Sequence, residues 1–168
     1  MSISEGRVWK FGDDVNTDLI IPGRYLDNYD PAHLAAHAME GVSREFASRV
    51  SKGDVIVAGR NFGCGSSREQ ATMVVKELGF RYVVCESMAR IYLRNCVGLG
   101  IYPILSKGVS PLFEEGDEIE IDLQRGEVKN VRTGKTASFE PLSETPLRIL
   151  NAGGIIPVLK KITEEGSP

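Results

Sequence analysis

Several features that would direct a reading elsewhere are missing from this sequence of 168 residues. No apolar run approaches the roughly 20 residues that span a bilayer. The first residues, Met1 to Arg7, carry no apolar stretch and no cleavage site, so neither a membrane nor export is expected, and the cytoplasm is. Cysteine is scarce: Cys64, Cys85 and Cys96 are an odd number without C-x-x-C spacing, which argues for free thiols and against a disulfide frame or zinc site. Three scattered cysteines also do not suit an iron–sulfur cluster held by this chain alone. Basic runs are absent, and 20 Lys and Arg against 23 Asp and Glu leave a net charge of -3, so no nucleic-acid partner is expected.

What is present suits a globular protein. With 42% hydrophobic residues the chain has enough apolar mass for a real core, and residues 1–168 are expected to form one domain. Asp54 to Gly59 is a continuous apolar run, the pattern of a strand buried on both faces. A glycine-rich loop follows, then Ala71, Val74, Val75 and Leu78 at helical spacing, closed by Gly79. Tyr82 to Cys85 reads as a second strand, Met88 to Val97 as a second helix, and Ile101 to Leu105 as a third strand. This alternation predicts parallel strands joined by helical crossovers.

Elsewhere the pattern changes. Asp30-Pro31 predicts a helix start, with Leu34, Ala35 and Ala38 on one face and Gly41 as its stop. Glu118 to Leu123 alternates with period two, a strand wet on one face, and Arg125-Gly126 and Thr133-Gly134 predict the turns of a small antiparallel meander. Ser143 or Thr145 begins a last helix running through Leu150. The predicted fold class is α/β, a mostly parallel core sheet flanked by helices with a small antiparallel β appendage.

The chemistry concentrates in Gly59-Arg60-Asn61-Phe62-Gly63-Cys64-Gly65-Ser66-Ser67-Arg68-Glu69. This segment leaves the carboxyl end of a buried strand and enters a helix, the usual ligand position in open α/β sheets. Gly63 and Gly65 permit close backbone approach, unpaired amides favour an anion, and Arg68 offers a planar fork for a carboxylate. A plain structural role competes with this: Ser66 or Ser67 capping the helix, answered by Glu69 or Gln70. A phosphate loop is a further rival, although neither the Walker lysine nor G-x-G-x-x-G is present. The residues by themselves imply an anion site at a strand–loop–helix junction.

Gly63 to Glu69, preceded by Ala58 to Phe62, resembles the small-subunit signature of the aconitase superfamily. Phe11 to Pro22, Ser87 to Asn95 and Ile149 to Pro157 resemble three further family motifs in the same order, so the likeness spans nearly the whole chain. It is most similar to the stand-alone small subunits of 3-isopropylmalate dehydratase, whose relatives include homoaconitase and dimethylmalate dehydratase. The resemblance implies the swivelling β/β/α domain and a hydro-lyase active only with a large subunit. That partner would hold a [4Fe–4S] cluster, this chain no cofactor or metal, and the substrate would be a hydroxy diacid. Ser66 then matches the base that takes the carbon-bound proton, Arg68 the carboxylate-binding arginine, Ser67 a helper that supports the loop, and Asp18 the aspartate beside the site.

Two departures bear on specificity. Gln70 stands where many members carry histidine. Within the substrate-reading loop Gly23 to Tyr29, Asp27 follows Tyr25-Leu26 where homoaconitases often place arginine. A negative charge there would repel an extra carboxylate, which favours an apolar side group such as that of isopropylmalate, with Leu26 lining its pocket and Arg24 as a further substrate contact. A non-enzymatic anion-binding module remains the alternative from another class. Cys64 reads as a small loop residue, and His33 and His37 as a solvated helix face without a third metal ligand. Arg90 and Arg94, four apart, suit substrate or partner contact as well as surface salt bridging and are left outside the catalytic set.

Overall fold

The buried run at 54–59 forms the strand expected of it, and the rest of the sheet is built outward from there. The computed structural model describes residues 3–166. In chain order, β1 spans Ile3–Lys10, α1 Thr17–Ile20, α2 Pro31–Ala36, α3 Phe46–Arg49, β2 Val55–Ala58, α4 Gln70–Glu77, β3 Tyr82–Cys85, α5 Arg90–Leu99 and β4 Tyr102–Leu105. After β4 come β5 Glu118–Asp122, β6 Glu127–Asn130, β7 Thr136–Ser138, α6 Glu144–Asn151 and α7 Ile155–Glu165. The seven strands make one sheet in the order β4-β3-β2-β1-β5-β6-β7.

Strand β1 joins two unlike halves. Its end, Val8 to Lys10, pairs in parallel with Val55 to Val57, whereas Ile3 to Arg7 pairs antiparallel with Glu118 to Asp122. The meander is therefore the continuation of the core sheet, hydrogen-bonded to it through β1. Strands β1 to β4 are parallel, so their carboxyl ends share one edge.

Two buried clusters lie on opposite faces of the parallel strands. Ile56, Ala58, Val83 and Cys85 face a cluster with Phe46, Phe62, Ala71, Val74 and Tyr92, while Val55, Val57 and Val84 face a second with Tyr102, Ile119, Ile121 and Val128. Both faces of β2 and β3 are covered, which is why their sequences are apolar without alternation. Strand β5 alternates because only Ile119 and Ile121 point into a core. The α/β class is thus as the sequence implies.

Helix edges differ in instructive places. Asp30 caps α2 as expected, its carboxylate accepting from His33 N at 3.2 Å. Helix α4 begins only at Gln70, and its cap residue Glu69 makes no side-chain cap bond, so neither Ser66 nor Ser67 caps it. Helix α5 starts at Arg90, two residues late, because Met88 forms a strand-like bridge with Phe62 and Ala89 N donates to Phe62 O at 3.0 Å. Ser143 precedes α6 without a side-chain cap bond. Helix α7 was not anticipated; it begins directly after Gly154, whose φ of 127° turns the chain.

Candidate functional site

Three loops leave the carboxyl edge of the parallel strands and are stitched together by backbone bonds. The segment after β1 runs beside the glycine-rich loop: Phe11 N donates to Val57 O at 2.9 Å, Asp14 N to Arg60 O at 2.8 Å, Gly63 N to Val15 O at 2.8 Å and Thr17 N to Cys64 O at 2.9 Å. The buried Thr17 hydroxyl adds a bond to Ser66 O at 2.9 Å. On the other flank Phe62 N donates to Ser87 O at 3.1 Å, and Asn61 N to Ser87 Oγ at 2.8 Å. The loop bearing Ser66 is consequently fixed from both sides.

Glycine makes the close approach possible at Gly63. Its φ is 77°, and a Cβ built there would enter the ring of Tyr92. Tyr92 lies beneath it with its hydroxyl donating to Ala71 O at 3.0 Å, tying α5 to α4 under the loop.

A cleft of about 220 Å³ opens above this junction. Thr17, Ser66, Ser67 and Arg68 line one side, Arg90 and Asn95 of α5 the other. Both serines are exposed, and the Arg68 side chain is 24% exposed. Arg68 Nη1 donates to Asp18 Oδ1 at 3.1 Å and to Ile21 O at 3.3 Å. Asp18 Oδ1 also accepts Gly23 N at 3.1 Å; that amide first, then Arg68, holds its carboxyl below the usual range, so it is charged. Arg68 Nε and Nη2 make no hydrogen bond among the described residues, and neither do the backbone N–H groups of Gly65 to Glu69. The Nε–Nη2 edge is the pair of donors that meets a carboxylate side-on. Chemically, the arrangement can hold a planar anion against a hydroxyl.

Ser66, Ser67 and Arg68 thus come together on the cleft, and Asp18, which does not line it, joins them through Arg68. Arg24 and Leu26 do not line the cleft. The Arg24 guanidinium lies over the Tyr25 ring at 4.7 Å and 3.5 Å from Glu40, and Leu26 is half-buried against the main core. Gln70 opens α4 and does not line the cleft either. Because α4 starts at residue 70, the donors nearest Ser66 belong to the loop itself and not to a helix first turn, a correction to the expected helix N-terminus at the serine. His33 and His37 are no simple solvated face: the His37 ring stacks on Tyr25 at 3.8 Å, with His33 edge-on at 6.2 Å. Cys64 is half-buried, whereas Cys85 and Cys96 are buried.

Sequence reasoning gave Thr17 and Asn95 no role of their own, and it weighed Arg90 as a substrate or partner contact but left it outside the catalytic set. Arg90 was visible as a helical arginine and Asn95 as part of a motif, but the bridge between Phe62 and Met88 that swings the start of α5 to the cleft had no local signal.

Comparison with known proteins bears on the family and the fold. The family model described as the aconitase C-terminal domain matches residues 37–108. The 3-isopropylmalate dehydratase small subunit 1 of Methanopyrus kandleri is 49% identical over 159 residues, 95% of this chain and 94% of its own. A methanogen homoaconitase small subunit of Methanothermobacter thermautotrophicus is 47% identical over 164 residues, 98% of this chain and 95% of its own. Among solved structures, a crystal structure of 3-isopropylmalate dehydratase from Methanocaldococcus jannaschii superposes with a TM-score of 0.92 at 44% identity, covering 99% of this chain and 100% of that one.

Proposed function

Since the chain belongs to the family of 3-isopropylmalate dehydratase small subunits, we propose that it is the small subunit of a cytoplasmic hydro-lyase that interconverts 2- and 3-isopropylmalate in leucine synthesis. The observation that carries this reading is the uncommitted Nε–Nη2 edge of Arg68 beside the exposed hydroxyl of Ser66 on one cleft. Arg68 binds a substrate carboxylate through that edge, with Asp18 fixing the far nitrogen. Ser66 takes the proton from the carbon next to the one that loses hydroxide, and returns it on rehydration at the neighbouring position. A serine alkoxide needs donors around it, and the unpaired loop amides of Gly65 to Glu69 supply them. Thr17 holds the loop's shape through the Ser66 carbonyl, and Ser67 stands beside Ser66 on the cleft.

No group of three His, Cys, Asp or Glu residues able to hold a metal forms among the described residues. A [4Fe–4S] cluster held by the large subunit would supply the Lewis acid for the substrate hydroxyl.

Overall identity does not separate the substrates, since relatives at 49% and 47% carry different activities in their names. The choice rests on the 23–29 loop, where exposed Asp27 disfavours a third carboxylate. Arg24 and Leu26 read the substrate only once the large subunit extends the cleft toward them. The homoaconitase-named relative supports homoaconitase as the second reading.

The test is reconstitution of the full chain with its cluster-bearing partner, assayed against isopropylmalate, homoaconitate and dimethylmalate. Isopropylmalate should turn over fastest, and Ser66→Ala should lower kcat by about 10²–10⁴-fold without dissociating the subunits. Undiminished turnover by that variant refutes the serine's role, and preference for homoaconitate refutes the substrate.

A further inference from the structure

A hydroxy diacid presents two carboxylates, and the site as assembled so far engages one. The opposite wall of the cleft carries Arg90, the first residue of α5. Its position is not left to chance. Ala89 is tied to the site loop through Phe62 O, Leu93 N donates back to Ala89 O at 2.9 Å, and Tyr92 anchors the same turn beneath Gly63. The first turn of α5 therefore moves with the loop that holds Ser66 and Arg68.

The Arg90 guanidinium forms no ion pair or side-chain hydrogen bond among the described residues, which removes the surface salt bridge that its spacing with Arg94 suggested. Two guanidinium groups on one cleft of about 220 Å³ repel each other unless an anion lies between them. Asp18 pairs with Arg68 and not with Arg90, and it does not line the cleft. A dianion with carboxylates on neighbouring or next-neighbouring carbons satisfies both arginines at once. Asn95, one turn and a half further along α5 on the same wall, adds an amide that can accept or donate to the substrate hydroxyl.

We propose that Arg90 binds the second carboxylate of the hydroxy diacid, opposite the first carboxylate on Arg68, so that the two arginines orient the carbon-bound proton toward Ser66. This rests on the functional reading above and adds a substrate-binding residue to it. Arg94, on the same helix and also without an ion pair, does not line the cleft but an adjoining groove that shares Asn95 with it, and provides the internal control.

The experiment uses the assembled heteromer, modified with phenylglyoxal with and without 2-isopropylmalate and mapped by mass spectrometry, alongside steady-state kinetics of Arg90→Gln, Arg90→Lys and Arg94→Gln. The diacid should protect Arg90 but not Arg94, and a monoacid analogue should protect less. Arg90→Gln should raise KM about ten- to hundredfold, with the analogue binding no worse than to wild type, and Arg90→Lys should fall between. Labelling of Arg90 unchanged by the diacid overturns the proposal, as does protection by the large subunit alone, which would make Arg90 a docking residue. If Ser66→Ala keeps its turnover while the diacid still protects Arg90, the serine's role fails and the carboxylate site stands.

Discussion

The two halves of the sheet each contain an arginine–aspartate pair, and the pairs are built oppositely. In the antiparallel half Arg132 meets Asp117 side-on, Nε at 2.7 Å and Nη2 at 3.1 Å. Asp117 is 7% exposed and also accepts Asn130 Nδ2 and Glu114 N, both at 2.8 Å. At the carboxyl edge of the parallel half, Arg68 gives Asp18 a single bond from Nη1, and Asp18 is 68% exposed. One fork is consumed by its aspartate; the other is only steadied and keeps its better edge open. The saturated pair fixes the turn between β6 and β7 to the start of β5, whereas the unsaturated pair leaves two donors free for the carboxylate proposed above.

That contrast can be broken in two ways. Arg68→Gln in the assembled enzyme should lose about 2–5 kcal/mol in kcat/KM, the cost typical of removing one partner of a hydrogen-bonded charge pair. Its unfolding free energy should move by less than about 1 kcal/mol, as for exposed pairs. Asp117→Ala should do the reverse, costing about 2–4 kcal/mol of stability because buried Asn130 and the Glu114 amide lose their acceptor. Urea melts of both variants beside their kinetics decide it. Equal stability losses would mean that the Asp18–Arg68 pair is structural after all.

Titration sharpens the same comparison with a smaller effect. Arg132, then the Glu114 amide and Asn130, push the Asp117 carboxyl well below the usual carboxylate range. A depressed folded-state pKa means the ionised form stabilises the fold above the unfolded value near about 4, and that contribution is lost as pH falls below it. Urea midpoints of the wild type should therefore fall between about pH 4 and pH 2 more steeply than those of Asp117→Asn. Asp18→Asn should track the wild type, because that carboxylate is largely exposed. A parallel decline in wild type and Asp117→Asn would show that other carboxylates govern acid unfolding.

Legibility followed the range of the interactions. Strands β2 to β4 and helix α4 are written in runs and periodicities a few residues long, and their positions held to within about two residues. Gly63 and Gly79 carried their turns openly, both at positive φ. The site loop was visible as a strand–loop–helix junction with an anion-binding composition. Its actual support was not, because Thr17 to Ser66 and Asp18 to Arg68 are contacts across 49 and 50 residues. The same holds for the start of α5, set by a bridge from Phe62. Helix α7 escaped notice although Ile155, Val158, Leu159 and Ile162 recur at helical spacing, because Gly153-Gly154 and Pro157 read as a break; Ile156 at 56%, Leu159 at 51% and Ile162 at 58% stay exposed.

The gentlest probe of the parallel half is its own thiols. Cys64 lies half-buried in the site loop, while Cys85 on β3 and Cys96 on α5 are buried in the main core. Burial pushes the Cys85 thiol up to about 12, and Cys96 also well above its ordinary value. At pH 8 the thiolate fraction at Cys85 is then about 10⁻⁴, so even a reagent reaching it would react slowly. Iodoacetamide at that pH should label Cys64 alone in the native chain and all three cysteines in denaturant, with intact-mass spectrometry counting the adducts. Partial labelling of Cys85 or Cys96 at a rate set by urea concentration would show the core under the cleft opening locally. The unsaturated Arg68 edge would then sit on a mobile floor, and the difference between the halves would be one of stiffness as well as of hydrogen bonding.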